Sequence, residues 1–344
     1  MNFIKLGHGL RTVAVAALIA IGVVAMTGLA ATPAQAAKTL RITLQLPLKN
    51  ILGQNLLAFE KIVEKESNGD LQVEIYDSAQ LYKDKQVPQA VASGAIEMGV
   101  AALTRFAGTI PASDLFFVPF MFTSNESIAT ATSPDNFIRQ KIDGEILKTG
   151  ARVMWWQAFG LSVMLSKGEP MVSPADMKDK KVRVFGKILG EFVRNAGGAP
   201  TLMSGSEQFL AYQRGTVDAG MTGVTAVKSR KLHEVMDYTI VTNHAGLEFV
   251  VLINEKVWQG LSSSERSLLS KAARTVEVDL RKKYAQIHED TLKWIDAETK
   301  MKVVRPTAAQ MDAWRKVAQP AWGIYKKNSG PLGVELVEAA QKLQ

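Results

Sequence analysis

Histidine and acidic side chains at short spacing are the residues of this sequence that could perform metal or acid–base chemistry. His233-Glu234 and His288-Glu289 match the start of the zinc-protease motif His-Glu-x-x-His, but Asp237 and Leu292 occupy the places of the second histidine. The chain has no cysteine, which excludes thiolate metal sites and cysteine nucleophiles. We therefore expect no metal ion, no cofactor and no enzymatic activity. The alternative is a carboxylate pair that only the fold brings together.

Arg183 is the residue best suited to bind a charged ligand. It lies in the segment Lys181–Phe185, which predicts a strand whose other residues near the arginine are apolar. A charge in such a strand needs a partner, and a guanidinium presents a planar fork that matches a carboxylate bidentately. The alternative is an arginine at a strand end that pairs with a structural Asp or Glu.

Segments with strand and helix periodicity alternate along the chain, which is typical of an α/β protein. With 344 residues, the chain is long enough for two lobes, each a sheet flanked by helices. The 45 residues between Gly260 and Pro306 contain neither glycine nor proline and repeat apolar residues at helical spacing. A helix of about 35 residues would be about 50 Å long, so we expect it to lie across both lobes.

The first 36 residues resemble a secretory signal peptide. Lys5 and Arg11 precede an uncharged stretch over 12–31, and Ala34-Gln35-Ala36 forms a small-x-small cleavage site. The alternative is a permanent membrane anchor. No later apolar stretch is long enough to span a bilayer, and the net charge of +8 comes from scattered basic residues. We expect a periplasmic protein without stable membrane insertion and without a nucleic-acid partner.

Several segments, in their order and spacing, resemble the DctP-type solute-binding proteins of tripartite ATP-independent periplasmic (TRAP) transporters. The resemblance runs from about residue 40 to residue 325, and Pro174–Val184 is its most specific stretch. The other matching segments are Phe59–Gly69, Val91–Met98, Val118–Phe122, Gly197–Pro200, Ser206-Glu207 and Gly215–Asp218.

The resemblance implies a clamshell that closes on a small organic acid and delivers it to a large and a small membrane subunit. It assigns 37–157 plus 249–290 to lobe 1, and 158–248 plus 291–344 to lobe 2 with the C-terminal helices. Arg183 matches the family's central carboxylate-binding arginine, and we expect a monomer. The alternatives are an uncharged or zwitterionic solute, and an enzyme on the same architecture.

Three departures from the family pattern bear on the ligand. Leu161 stands where many members have a second arginine, and Thr222 stands where a ligand-contacting asparagine is common. Gly205 replaces an aromatic residue, which predicts open space beside Arg183. With one strong cation on lobe 2, we expect a monocarboxylate with a largely apolar remainder. The alternative is a C4-type dicarboxylate that also uses Arg105.

Five further residues are candidates for ligand contacts because of their positions relative to predicted strands and the lobe crossing. Trp156 and Gln157 lie at the expected crossing, where the alternative role is core packing. Arg105 follows the third strand, with a solvated loop arginine as the alternative. Gln45 and Asn50 follow the first strand, where binding loops of such sheets emerge. Phe209 is a sixth candidate, on a short helix, with packing as its alternative.

Overall fold

The computed structural model describes residues 37–343, so the predicted signal peptide lies outside the described residues. Strands and helices alternate through most of this range, and the α/β prediction is confirmed. The strands are β1 Lys38–Thr43, β2 Leu71–Tyr76, β3 Met98–Ala102, β4 Ala151–Ser166, β5 Lys181–Val184, β6 Ala199–Leu202, β7 Ala219–Gly223, β8 Tyr238–Ile240, β9 Gly246–Asn254 and β10 Lys302–Val304. The helices are α1 Ile51–Glu66, α2 Val87–Ser93, α3 Asn125–Ala131, α4 Phe137–Leu147, α5 Lys187–Asn195, α6 Gln208–Gln213, α7 Val224–Ser229, α8 Glu255–Gln259, α9 Ser263–Glu298 and α10 Ala308–Gln341.

One long strand joins two halves of the sheet. The strand order is β2-β1-β3-β9-β4-β7-β5-β6, with β8 and β10 attached beside β4. Residues 151–161 of β4 pair with β9, and residues 162–166 pair with β7. The first half of the sheet therefore contains β1, β2, β3 and β9, and the second half contains β5 to β8 and β10. Both halves share β4, which passes through residue 157, where the lobe boundary is predicted.

The strand β4 runs for 16 residues and passes through a bulge at Gly160. The register with β9 shifts between Ala158 and Gly160. Gly160 has a φ of +94°, a conformation that residues with a side chain rarely adopt. The glycine thus bends the strand where it leaves the first half for the second, and the pairing continues on both sides.

The long helix α9 contacts both halves of the sheet, as predicted from its sequence. A capping box at Ser262 and Glu265 starts the helix, which runs for 36 residues. Asn55 of α1 donates a hydrogen bond to the carbonyl of Val276, at 2.7 Å, and this fixes the helix to the first half. Near its other end, the Trp294 ring lies 4.4 Å from the ammonium of Lys228 in the second half.

Candidate ligand-binding site

Arg183 is buried at the centre of the second half of the sheet. It is 1% exposed, and its guanidinium lies 4.3 Å from the ring centroid of Phe185. Its Nη1 donates to the carbonyl of Met221 at 2.6 Å, and its Nε and Nη2 donate to the carbonyl of Met203 at 3.3 and 3.1 Å. A guanidinium has five N–H donors, so two remain for a ligand. Burial lowers the pKa of Arg183 to about 10, and the group stays charged at neutral pH.

A second cation, which the sequence did not single out, is Arg230 at the end of α7, where it is partly buried. Its Nη1 donates to the Gln208 side chain at 3.2 Å, and its Nη2 donates to the side-chain oxygen of Gln45 at 3.0 Å. Burial, followed by the charge of Arg183, lowers the pKa of Arg230 to about 9. The only sequence signal is the basic run Lys228-Ser229-Arg230-Lys231, which is more typical of a solvated helix end.

The guanidinium of Arg230 occupies the space that the absent side chain of Gly205 leaves. A Cβ atom on Gly205 would come within 2.4 Å of the Arg230 Nη1 atom. Gly205 therefore does leave space, but the prediction that this space stays open beside Arg183 is wrong, because the Arg230 guanidinium fills it. The prediction of a single strong cation in this half of the molecule is wrong for the same reason.

Arg105 approaches the same region from the first half of the sheet. Its Nε pairs with Asp84 at 2.7 Å, with side-chain exposures of 5% and 1%, so Arg105 is not a solvated loop residue. Its Nη1 donates to the carbonyl of Phe185 at 2.8 Å, and its Nη2 has no hydrogen-bond partner among residues 37–343. We refer to Arg105, Arg183 and Arg230 as the arginine cluster.

Three other predicted residues lie beside this cluster. A cavity of 190 Å³ is lined by Gln45, Phe209 and Arg230, together with Pro47, Ser78, Gly205 and Ser206. Thr222 directly follows Met221, whose carbonyl holds Arg183, and its buried hydroxyl makes no hydrogen bond within the described chain. The structure thus gathers Gln45, Phe209 and Thr222 around the arginines.

Trp156, Gln157 and Asn50 have other partners. The Trp156 indole donates to Asp143 at 2.8 Å and packs edge-on against a phenylalanine ring. The Gln157 amide donates to Asn55 at 2.7 Å. Asn50 caps α1 with its oxygen and donates to the hydroxyl of Ser229 at 3.0 Å. These contacts give all three side chains structural roles, in the core or between the two halves.

The two halves of the sheet are in contact over the arginine cluster. Three hydrogen bonds join the halves here: Gln45 with Arg230, Asn50 with Ser229, and Arg105 with the Phe185 carbonyl. A fourth joins Lys83 to Glu207 at 2.8 Å near the surface. The structure is therefore a closed arrangement in which Arg183 and the Arg105 side chain are buried and Arg230 is partly buried.

A larger cavity of 540 Å³ lies on the other side of β5, between α5, α10 and the 3₁₀ turn Pro111–Phe117. Val184 and Gly186 line this cavity. Neighbouring residues of a strand face opposite sides of the sheet, so the Arg183 side chain faces away from the cavity. Two charged residues of α5 that line it, Glu191 and Arg194, pair with each other at 2.6 Å. The three residues of the arginine cluster do not line this cavity.

Asp114 is a buried acid that lines the larger cavity. Burial raises its pKa to about 7, and the Thr104 hydroxyl and the charges of Arg105 and Lys187 offset this only in part. The folded protein therefore holds a proton on Asp114 up to about pH 7, whereas the unfolded chain loses it near pH 4. The stabilisation by this proton is complete below the unfolded pKa and is lost as the pH rises towards 7.

We expect Asp114→Asn to remove this part of the pH dependence. Between pH 5 and 7, the free energy of unfolding of the wild type should fall by roughly 1.4 kcal/mol per pH unit more than that of the variant. Urea denaturation at pH 5, 6 and 7 measures both slopes, and contributions from other acids cancel in the comparison. Equal slopes would show that Asp114 is ionised in the folded protein throughout this range.

Comparison with known proteins agrees with the sequence resemblance. The DctP family model, described as bacterial extracellular solute-binding protein, family 7, matches residues 44–328. The C4-dicarboxylate-binding periplasmic protein DctP of Rhodobacter capsulatus is 27% identical over 294 residues, which cover 84% of this chain and 86% of that protein. The sialic acid-binding periplasmic protein SiaP of Vibrio cholerae is 25% identical over 321 residues, covering 90% and 95%.

Solved structures share the fold at lower identity. A TRAP periplasmic solute-binding protein of Shewanella oneidensis with bound succinate has a TM-score of 0.84 at 20% identity, covering 90% of this chain and 99% of that one. A Bordetella pertussis solute receptor that binds pyroglutamic acid also has a TM-score of 0.84, at 18% identity and 89% and 100% coverage. The two-lobed fold is confirmed. Within residues 37–343, no helix is both long and apolar enough to cross a membrane.

Proposed function

Because this chain belongs to family 7 of the bacterial extracellular solute-binding proteins, we propose that it captures a small organic acid between its two lobes. The lobes close over the acid, and the loaded protein delivers it to the large and small membrane subunits of a TRAP transporter. We further propose that it acts in the periplasm as a monomer, after removal of residues 1–36. It is a receptor and leaves its ligand chemically unchanged.

The observation that carries this proposal is the burial of Arg183 with two N–H donors still available. Taking a guanidinium out of water is costly unless a counter-charge compensates it, and backbone carbonyls supply only partial charges. A carboxylate that accepts hydrogen bonds from the two remaining N–H groups of Arg183 would supply a full negative counter-charge. The relatives named for C4-dicarboxylate and sialic acid bind acids as well, which supports the same class of ligand for this chain.

The proposed ligand contacts follow from the arrangement of the cluster. Arg183 binds the carboxylate, and Arg105, Gln45, Thr222 and Phe209 line the remainder of the site. Three predicted residues are not among the proposed ligand contacts, because their side chains already bind other residues in the core or between the halves: Trp156, Gln157 and Asn50. Opening the lobes would expose the cluster, and closing them would exclude water from the bound acid.

A thermal-shift panel of organic acids tests the proposed function. A ligand present at about 100 times its dissociation constant should raise the free energy of unfolding by about 2.7 kcal/mol, which appears as a higher Tm. Neutral amides of the same acids are the matched controls and should give no shift. If no acid raises Tm at millimolar concentration, the proposed function is wrong. Recovery of a chemically altered ligand after long incubation would instead identify an enzyme.

A further inference from the structure

We propose that Arg230 is a second acid-binding residue, admitted to the site by Gly205, and that the ligand therefore carries two acid groups. This inference rests on the proposed function, because it assumes that an organic acid occupies the region of Arg183. It replaces the expectation of a monocarboxylate, whose premise was a single cation in this half of the molecule.

The partners of Arg230 in the closed structure are neutral. The side-chain amides of Gln45 and Gln208 accept hydrogen bonds from its two terminal nitrogens, and its Nε is buried without a partner in the described part of the chain. Amide oxygens satisfy hydrogen bonds but do not neutralise a full charge. Within residues 37–343, Arg230 thus makes no ion pair, and its hydrogen bonds to amides leave its charge without a direct counter-charge.

The charge balance of the whole cluster leads to the same conclusion. Three guanidiniums lie together, and Asp84 pairs with Arg105. Asp114 is a second buried carboxyl near Arg105, and it holds a proton up to about pH 7. Below that pH the balance is three minus one, or two positive charges. The negative charge of Glu207 also attracts Arg183, but Glu207 is partly exposed and its charge is already paired with Lys83. A monoanion would leave one positive charge of the cluster unneutralised, whereas a dianion neutralises both.

Arg183 and Arg230 are close enough to share one short ligand. Gln208 accepts from Arg230 with its side-chain oxygen and donates with its nitrogen to the carbonyl of Met221. That same carbonyl accepts from Arg183. One glutamine side chain therefore separates the two guanidiniums, and the 190 Å³ cavity beside Arg230 offers room next to them.

Gly205 is required for its small size and not for its backbone conformation. It opens a short 3₁₀ turn, its φ lies outside the left-handed region, and the Cβ of any other residue would collide with the Arg230 guanidinium. The colliding atoms are the end of a flexible side chain. Gly205→Ala should therefore displace Arg230 without unfolding the protein.

Calorimetric titration of matched acids tests the inference. The probes are succinate, glutarate and adipate, each paired with its monomethyl ester, which keeps the length of the acid and removes one charge. For the wild type, we expect at least one diacid to bind about tenfold or more tightly than its ester. Arg230→Met should weaken that diacid by about thirtyfold or more and leave the ester within about threefold.

Two further variants separate recognition from a structural role. Gly205→Ala should reproduce the selective loss of diacid affinity, whereas Gly144→Ala, at an open and exposed helix position, should not. Equal weakening of diacid and ester in Arg230→Met would reduce Arg230 to a contact between the halves and overturn the inference. If the thermal-shift panel yields only monoacids, this inference also fails, but the proposed function stands. If no acid binds, both fail.

Discussion

Arg183→Lys is expected to abolish detectable binding of the organic acid while the unliganded protein stays folded. Lysine keeps the positive charge, but its ammonium cannot form two parallel hydrogen bonds with a carboxylate and also donate to the carbonyls of Met203 and Met221. The loss of a bidentate partner for a buried carboxylate costs about 2–5 kcal/mol, or a factor of roughly 30 to several thousand in affinity. Isothermal titration with the best acid of the thermal-shift panel measures the effect.

A control on the same strand isolates this effect from general changes in charge. Lys181 begins β5, two residues before Arg183, and its side chain is exposed. Lys181→Ala should bind the acid with unchanged affinity, and circular dichroism should report the same fold for both variants. If Arg183→Lys binds within threefold of the wild type, Arg183 is not the carboxylate-binding residue.

The sequence was most informative where local pattern and burial coincide. The long stretch without glycine or proline predicted α9 because its apolar residues return to one face of a helix. Arg183 stood out because a charge within an apolar strand needs a partner. In both cases, the residues adjacent in sequence are sufficient for the prediction. The structure contains the long helix, and Arg183 is buried.

Arg230 could not be found in this way, because its environment is built from distant segments. Its neighbours in sequence are basic and polar, whereas its burial results from contacts with Gln45, Gly205 and Gln208. From the sequence, Gly205 is only a departure from the family pattern. Only the fold shows that the space it leaves is filled by a residue 25 positions later in the chain.

The two adjacent tryptophans illustrate a second limit. Side chains of neighbouring strand residues face opposite sides, so a sheet with one face open would expose one of Trp155 and Trp156. Both are buried, because α1 and α4 cover the two faces of β4: Trp155 donates to Asn55 and Trp156 donates to Asp143. From sequence alone, an aromatic residue that lines a cleft and one that fills a core look the same.

Arg281→Met is expected to lower the free energy of unfolding by about 3–5 kcal/mol at pH 8. Arg281 on α9 donates to both oxygens of Glu248, at 2.7 and 2.8 Å, and Glu248 is 1% exposed. Burial already raises the pKa of Glu248, and Arg281 offsets that effect. Without Arg281, the carboxylate would be buried with less compensation, or it would take up a proton at a cost that grows with pH.

The position of this ion pair explains why it matters to the fold. Glu248 lies on β9 opposite Ala158 of β4, next to the bulge where β4 passes from one half of the sheet to the other. The pair therefore fixes the middle of α9 to the strands that join the halves. Because it is separate from the arginine cluster, we expect Arg281→Met to change stability without changing which acids bind.

The pH dependence and a double variant provide the decisive comparison. A raised pKa for Glu248 means that the destabilisation by Arg281→Met should shrink as the pH falls from 8 to 5, because protonation removes the unpaired charge. Arg281→Met combined with Glu248→Gln should recover much of the loss at pH 8. Lys283→Met, which breaks an exposed pair with Asp279 on the same helix, should change stability by less than about 1 kcal/mol. If the double variant is no more stable than Arg281→Met at pH 8, the loss comes from packing of the arginine stem and not from an unpaired Glu248.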